Sequence, residues 1–259
     1  MSAATEQLAT RCLVSVLKET ARRCGGRSRE ESGLLLVAGT HPCPVLVNSV
    51  VRTGQMDAIE VLRRAAIFFG ERRHSYELWT RDGIDADLET AALDSGMQFA
   101  VALTAMIAAH CPSLPTLVPG VAIQAVIDSS GVRDFVAVVA DGFQEEAPGM
   151  PDLVRSTFAD PASLLAADTA AFVISSQSVP AAAAMTMVRE GVAWIGWVAT
   201  RADFRGRGLG GIAAAVATRA GFSLGGRFAS LEATTAGRSV YTRLGYHAIA
   251  EFRNYWPAR

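Results

Sequence analysis

The stretch "RADFRGRGLGGIAAAVATRAG", Arg201 to Gly221, sets the reading of the whole chain. Gly206, Gly208, Gly210 and Gly211 stand where an alanine-rich helix is about to begin. A glycine inside a helix costs roughly 0.8–1 kcal/mol relative to alanine, so a cluster at a helix entrance calls for a physical cause. An anion site supplies one. The first N–H groups of a helix have no acceptor within it, and its N-terminus carries partial positive charge. Glycines bring that backbone close to a phosphate with no Cβ in the way, and they permit conformations that aim several N–H groups at one point. Arg205 and Arg207 add charge at the same spot. Charge-assisted hydrogen bonds contribute roughly 1.5–3 kcal/mol each, enough for several to outweigh the propensity cost.

Three motifs compete for this turn. A dinucleotide fingerprint needs G-x-G-x-x-G directly after a parallel strand. Here "RADF" intervenes, and the strands before it read as hairpins. A mononucleotide P-loop needs a lysine after its last glycine, and Lys18 is the only lysine in the chain. The third pattern, Arg/Gln-x-x-Gly-x-Gly/Ala, is met by Arg205, Gly208 and Gly210.

The surrounding segments agree with the third. "TAAFVISSQ", "VPAAAAMTMVREG" and "VAWIGWVAT" read as successive antiparallel strands with tight turns. After the glycine turn come a strand "RFASLEAT", a helix "GRSVYTRLG" and a strand "HAIAEFRNYW". This ordered set, with the Tyr-x-x-Leu-Gly-Tyr ending from Tyr241 to Tyr246, resembles the GNAT superfamily of acyl-CoA-dependent N-acetyltransferases over about residues 120–259.

The resemblance implies an α/β (α+β) fold, a mixed central sheet flanked by helices. It implies that the fourth strand splays from the fifth and that a pantetheine arm pairs with the backbone of Val198, Ala199 and Thr200. The N–H groups of Arg205, Gly206, Arg207, Gly208, Leu209 and Gly210 would hold the pyrophosphate of acetyl-CoA, a co-substrate, with Gly211 as a further donor. Tyr241 would protonate the leaving thiolate after direct attack by a neutral amine in a ternary complex. Thr234 stands where many relatives carry an Asn seven residues before the tyrosine, and its hydroxyl makes part of the same contact.

The base that deprotonates the amine is not fixed by the pattern. Glu232 on the fifth strand and Glu190 in a turn are the candidates, and both are expected on the solvated surface. His247 reads as structural. Trp194 and Trp197, three apart on a strand, are expected to face opposite sides, one in the core and one on the acceptor groove.

The first half reads as a helix near 5–24, a turn-rich break "CGGRSREES", and strands "GLLLVAG" and "PVLVNSVV". A helix follows in "MDAIEVLRRAAIFFGERR", with Ile59, Leu62, Ala66 and Phe69 as its apolar face. Then come a strand "SYELWT", a short helix "DADLETAALDSG", and "MQFAVALTAMIAAH", which the pattern leaves open between strand and helix. The proline-rich "CPSLPTLVPG" serves as linker, so the expected domains are 1–117 and 118–259. Asp128 or Ser129 caps the helix that opens the second half. The first half lacks the loop and tyrosine signatures, and by analogy with tandem arrangements it reads as a degenerate GNAT-like domain. Its expected job is to wall off the acceptor site through Arg72, Arg73, Phe68 and Phe69.

Composition bounds the rest. The 259-residue chain is 50% hydrophobic and 19% charged, enough for a substantial core. A formal net charge of −1 argues against nucleic acid or a membrane surface as partner. Cys12, Cys24, Cys43 and Cys111 show no metal-ligand spacing, so reduced thiols and no metal are expected. No signal peptide or membrane span is read, which places the protein in the cytoplasm. The acceptor is an amine, on a small molecule, a peptide or a protein. A catalytically inactive acyl-CoA-binding regulatory module is the alternative.

Overall fold

The computed structural model describes residues 3–145 and 149–258. The chain divides into two compact units, one of Met1–Ala105 with Ala233–Thr235 and Ala248–Arg259, the other of Met106–Glu232 with Ala236–His247. The division thus falls twelve residues ahead of the expected 117/118 boundary, and the first unit also takes in a strand from far along the chain.

In the first unit, α1 (Ala3–Arg23) leads into β1 (Arg27–Glu31), β2 (Leu34–Ala38) and β3 (Asn48–Arg52). Next come α2 (Ala58–Gly70), β4 (Glu77–Arg81), α3 (Ala86–Asp94) and β5 (Gln98–Ala108), the last three residues of which go with the second unit. The sheet order is β1-β2-β3-β4-β11-β5, where β11 (His247–Trp256) pairs antiparallel with β4, Phe252 opposite Arg81. β3 and β4 are parallel, so the sheet is mixed.

Two sequence expectations change here, and one open reading closes. "CGGRSREES" contains a strand, β1, because an edge strand exposed to water needs no apolar alternation and its ladder to β2 suffices. The segment at 97–110 is a strand, β5. The apolar face of α2 is also turned: Ala58, Val61, Ala65, Phe68 and Phe69 are buried, whereas Ile59 is 65% exposed. Two apolar stripes overlap in this helix, and the one with larger rings wins. Phe69 stacks on Tyr76 at 4.7 Å and meets Phe68 edge-on at 5.0 Å. Phe68 and Phe69 are therefore core of the first unit.

In the second unit, β6 (Val121–Ala125) precedes α4 (Ser129–Gly142) and α5 (Met150–Thr157). Asp128 caps α4, its carboxylate accepting from Gly131 N–H at 2.9 Å. A meander follows: β7 (Thr169–Ser176), β8 (Val179–Arg189) and β9 (Val192–Thr200). Its turns carry φ > 0 at both central residues, Gln177–Ser178 and Glu190–Gly191, the conformation that matches strand twist in two-residue hairpins. α6 (Leu209–Ser223), β10 (Phe228–Thr234) and α7 (Arg238–Arg243) complete the unit. Its sheet runs β10-β9-β8-β7-β6. The small residues of α6 let it lie close on the sheet: a Cβ on Gly221 would be 2.5 Å from that of Ala193.

Candidate functional site

β9 and β10 pair in parallel over only three positions, Val192–Trp194 against Phe228–Ser230. Beyond Trp194 the two strands part, while β9 stays bonded to β8 as far as Thr200, opposite Ala182. The β8–β9 register shifts between Ala183 and Met185, and Trp197 sits in the left-handed region at φ +52°. A bulky residue there is strained by about 1–2 kcal/mol. The Trp197 indole packs against Phe158 at 5.3 Å and Phe143 at 6.2 Å, which holds the bulge. Past it, Val198, Ala199 and Thr200 face the opening with one backbone edge free of ladder bonds to β10.

The opening leads into the glycine turn. Gly206 and Gly208 both take φ +77° with open space around a Cβ, so glycine is required there by conformation. Gly208 is the left-handed N-cap of α6. At Gly210 the need is steric, because a Cβ would lie 2.9 Å from Thr200 Oγ1. Gly211 has neither need, its nearest neighbour being 3.5 Å away. Leu209 is buried and anchors the turn. Ile212 N–H is the first to bond back, to Gly208 O at 3.1 Å. Among the described residues no backbone carbonyl takes the N–H of Gly206, Arg207 or Gly208.

The arginine side chains bond backbone carbonyls. Arg205 clamps the turn, donating to Gly142 O at 3.0 Å and Thr200 O at 3.3 Å. Arg207 donates to Asp203 O at 2.8 Å and lies over the Phe204 ring. The hydrogen bonds open to a ligand there therefore come from backbone N–H groups at the start of α6, while the two guanidiniums, bonded to neutral carbonyls, keep their charge beside it.

Tyr241, on α7, is half-buried, and its ring meets Tyr246 edge-on at 5.9 Å. Tyr246 is fixed in turn by a 2.7 Å hydrogen bond to Thr218 on α6. Loss of solvation pushes the Tyr241 phenol up to about 12, and among the described residues nothing bonds its hydroxyl. Thr234 is at the exposed end of β10 and is grouped with the first unit.

Glu232 departs from the surface placement expected of it. Its carboxylate accepts Trp194 Nε1–H at 3.0 Å, and burial raises its pKa above the ordinary carboxylate range. The Trp194 ring folds back over Gly196, where any Cβ would overlap it. Glycine at 196 is thus what lets the indole reach Glu232. Both Trp194 and Trp197 are buried, and the left-handed residue interrupts the strand alternation on which opposite faces were expected. Glu190 is an exposed turn residue and His247 is exposed at the start of β11. The register explains the placement of Glu232: Ser230 pairs with Trp194, so Glu232 shares their face two residues on.

A parted strand pair thus runs into a cradle of free N–H groups. Residues 140–246 match the acetyltransferase (GNAT) family. No curated protein sequence matches the chain. The GNAT fold extends through solved structures. A GCN5-related N-acetyltransferase from Kribbella flavida is similar at 20% identity over 95% of each chain, TM-score 0.72. One from Sphaerobacter thermophilus is similar at 13% identity, covering 87% of this chain and 76% of its own, TM-score 0.67. A tandem GNAT protein from the clavulanic acid biosynthesis pathway aligns over 90% and 80% at 11% identity, TM-score 0.56. At such identities the likeness is one of fold. Among the described residues no helix is long and apolar enough to cross a membrane, and no cluster of three His, Cys, Asp or Glu forms a metal site.

Proposed function

We propose that this protein is an N-acetyltransferase that moves an acetyl group from acetyl-CoA to a primary amine, with residues 118–259 catalytic and residues 1–117 a degenerate GNAT-like support. The observation that carries the reading is the parting of β9 from β10 directly ahead of the glycine cradle. Acetyl-CoA supplies a thioester, an acyl group activated toward amines. The backbone of Val198, Ala199 and Thr200 offers the arm a strand edge, and the N–H groups from Gly206 to Gly210 hold the pyrophosphate oxygens, that of Arg205 being taken by Ala202 O at 3.2 Å. Binding both partners in one groove makes their encounter effectively intramolecular.

Glu232 Oε takes the proton of the attacking amine. A carboxylate with a raised pKa is a stronger base than one in water, and Trp194 keeps it oriented. Tyr241 Oη holds its proton until the thiolate departs. The burial that lifts the phenol lifts a neighbouring thiolate as well, so Tyr241 acts first as a hydrogen-bond donor to the growing charge. The acceptor is an amine on a small molecule, peptide or protein, and the cytoplasm is the proposed place of work.

Calorimetric titration of acetyl-CoA into the full chain and Gly208→Asp tests the site. Affinity should fall at least a hundredfold in the variant, because a carboxylate at φ +77° meets the phosphates. No binding by either protein sinks the reading. Tyr241→Phe then separates an enzyme from the alternative, an inactive acyl-CoA-binding module. Thiol release with an amine panel should drop about a hundredfold in kcat while acetyl-CoA affinity stays. A wild-type protein that binds but never turns over is the module.

A further inference from the structure

In the first unit, β1 and α2 enclose a cleft of about 490 Å³ walled by arginine. Arg27, Arg29 and Glu31 alternate along one face of β1, and Leu36 lies directly across the ladder from Arg29. Arg64 and Phe68 on α2, with Arg72 in the turn just after it, line the other wall. One end is closed by ion pairs: Arg64 reaches Glu31 at 3.1 Å, and Glu60 takes both Arg63 and Arg64 at 2.6 Å. Arg27, Arg29 and Arg72 line this same cleft.

Their guanidiniums are committed unequally. Arg27 has no ion pair or hydrogen bond among the described residues, and Arg29 pairs only with the half-buried Glu31 at 2.9 Å. Arg72 lies over the Phe68 ring, 3.8 Å from its centroid, donates to Phe68 O at 2.5 Å and has Glu71 at 3.5 Å. The floor between the walls is apolar, built from Leu36, Phe68 and the half-exposed Ile67. Three guanidiniums over an apolar floor match a dianion with three terminal oxygens and a hydrophobic body. A carboxylate offers only two oxygens.

We propose that this cleft binds a small phosphate monoester with an apolar body, at a site separate from the glycine cradle and independent of the acyl-transfer reading. Phenyl phosphate is the probe, titrated calorimetrically into the full chain and into Arg27→Gln, Arg72→Gln and Gly208→Asp. Far-UV circular dichroism and Tm confirm folding of each variant. The expected result is one saturable site, weakened about tenfold in each arginine variant and unchanged in Gly208→Asp. Inorganic phosphate should bind at least about tenfold more weakly, since it leaves the floor uncovered. Absence of a saturable site, heat unaffected by both arginine variants, or heat lost only in Gly208→Asp overturns the proposal. Equal affinity for inorganic phosphate overturns the apolar body.

Discussion

Glu77 in the first unit and Glu232 in the second each accept an indole N–H, from Trp79 at 2.8 Å and from Trp194 at 3.0 Å. Burial raises both pKa values, that of Glu77 to about 7. Their remaining lone pairs differ. Glu77 also accepts from Leu46 N–H at 2.7 Å, Ser49 Oγ at 3.0 Å and Asn254 Nδ2 at 3.0 Å. Trp194 is the one side-chain donor that bonds Glu232 among the described residues. A carboxylate whose acceptor sites are filled ties elements together. One with free acceptor sites, beside a parted strand pair, is open to a proton from outside. Two similar burials thus lead to different chemistry, and the count of donors decides which.

The widest gap between the two should come from removing them. Glu232→Gln keeps the shape and the Trp194 contact, so kcat/KM should fall by about 10²–10⁴ with Tm nearly unchanged. Glu77→Ala takes the acceptor from Leu46 N–H and Asn254 Nδ2, while Ser49 Oγ keeps Leu46 O and Trp79 Nε1–H keeps Ser49 Oγ, and urea titration should show a loss of about 2–5 kcal/mol. A Glu232 variant that unfolds while keeping its specific activity would erase the distinction.

Next in size is the response to pH. The folded-state pKa of Glu77, about 7, lies above its ordinary 4.5, so the native state holds this proton more tightly. Its stability contribution is complete below about pH 4.5 and is lost as pH rises through 7, by about 3 kcal/mol in all. Unfolding curves of wild type minus Glu77→Gln should show that slope and then flatten. Acyl transfer should run the other way, kcat/KM rising with pH as Glu232 ionises. A rate limb that follows the stability curve would merge the two roles.

The finest test changes the donors. Trp194→Phe removes the bond that lowers the Glu232 pKa, so the acidic limb of kcat/KM should move to higher pH. Trp79→Phe takes one of four donors from Glu77, and denaturation should register about 1 kcal/mol with no change in the rate profile.

Much of the second unit was legible because its signals are local. A glycine forced to φ > 0, an Asp cap and two-residue hairpins each depend on a few adjacent residues, and Gly208, Asp128 and Glu190–Gly191 carry them. What the sequence hid depends on partners far along the chain. The buried face of α2 was set by Tyr76 and the sheet beneath it, not by the period of the helix, which two stripes satisfy. β1 carries no apolar pattern because the ladder to β2 holds it. Glu232 reads as an ordinary exposed acid until Gly196 is seen to admit the Trp194 ring. Arg205 matched its motif, yet the carbonyls that take its fork, Gly142 and Thr200, lie on α4 and β9.

The pairing of β11 with β4 has a consequence for how the protein is made. On the ribosome, β4 emerges roughly 10–30 s before β11, at ~5–20 residues per second. Through that interval β4 offers an open hydrogen-bonding edge, and Glu77 waits without Asn254. The first half of the chain therefore cannot complete its own sheet until the second half has been translated.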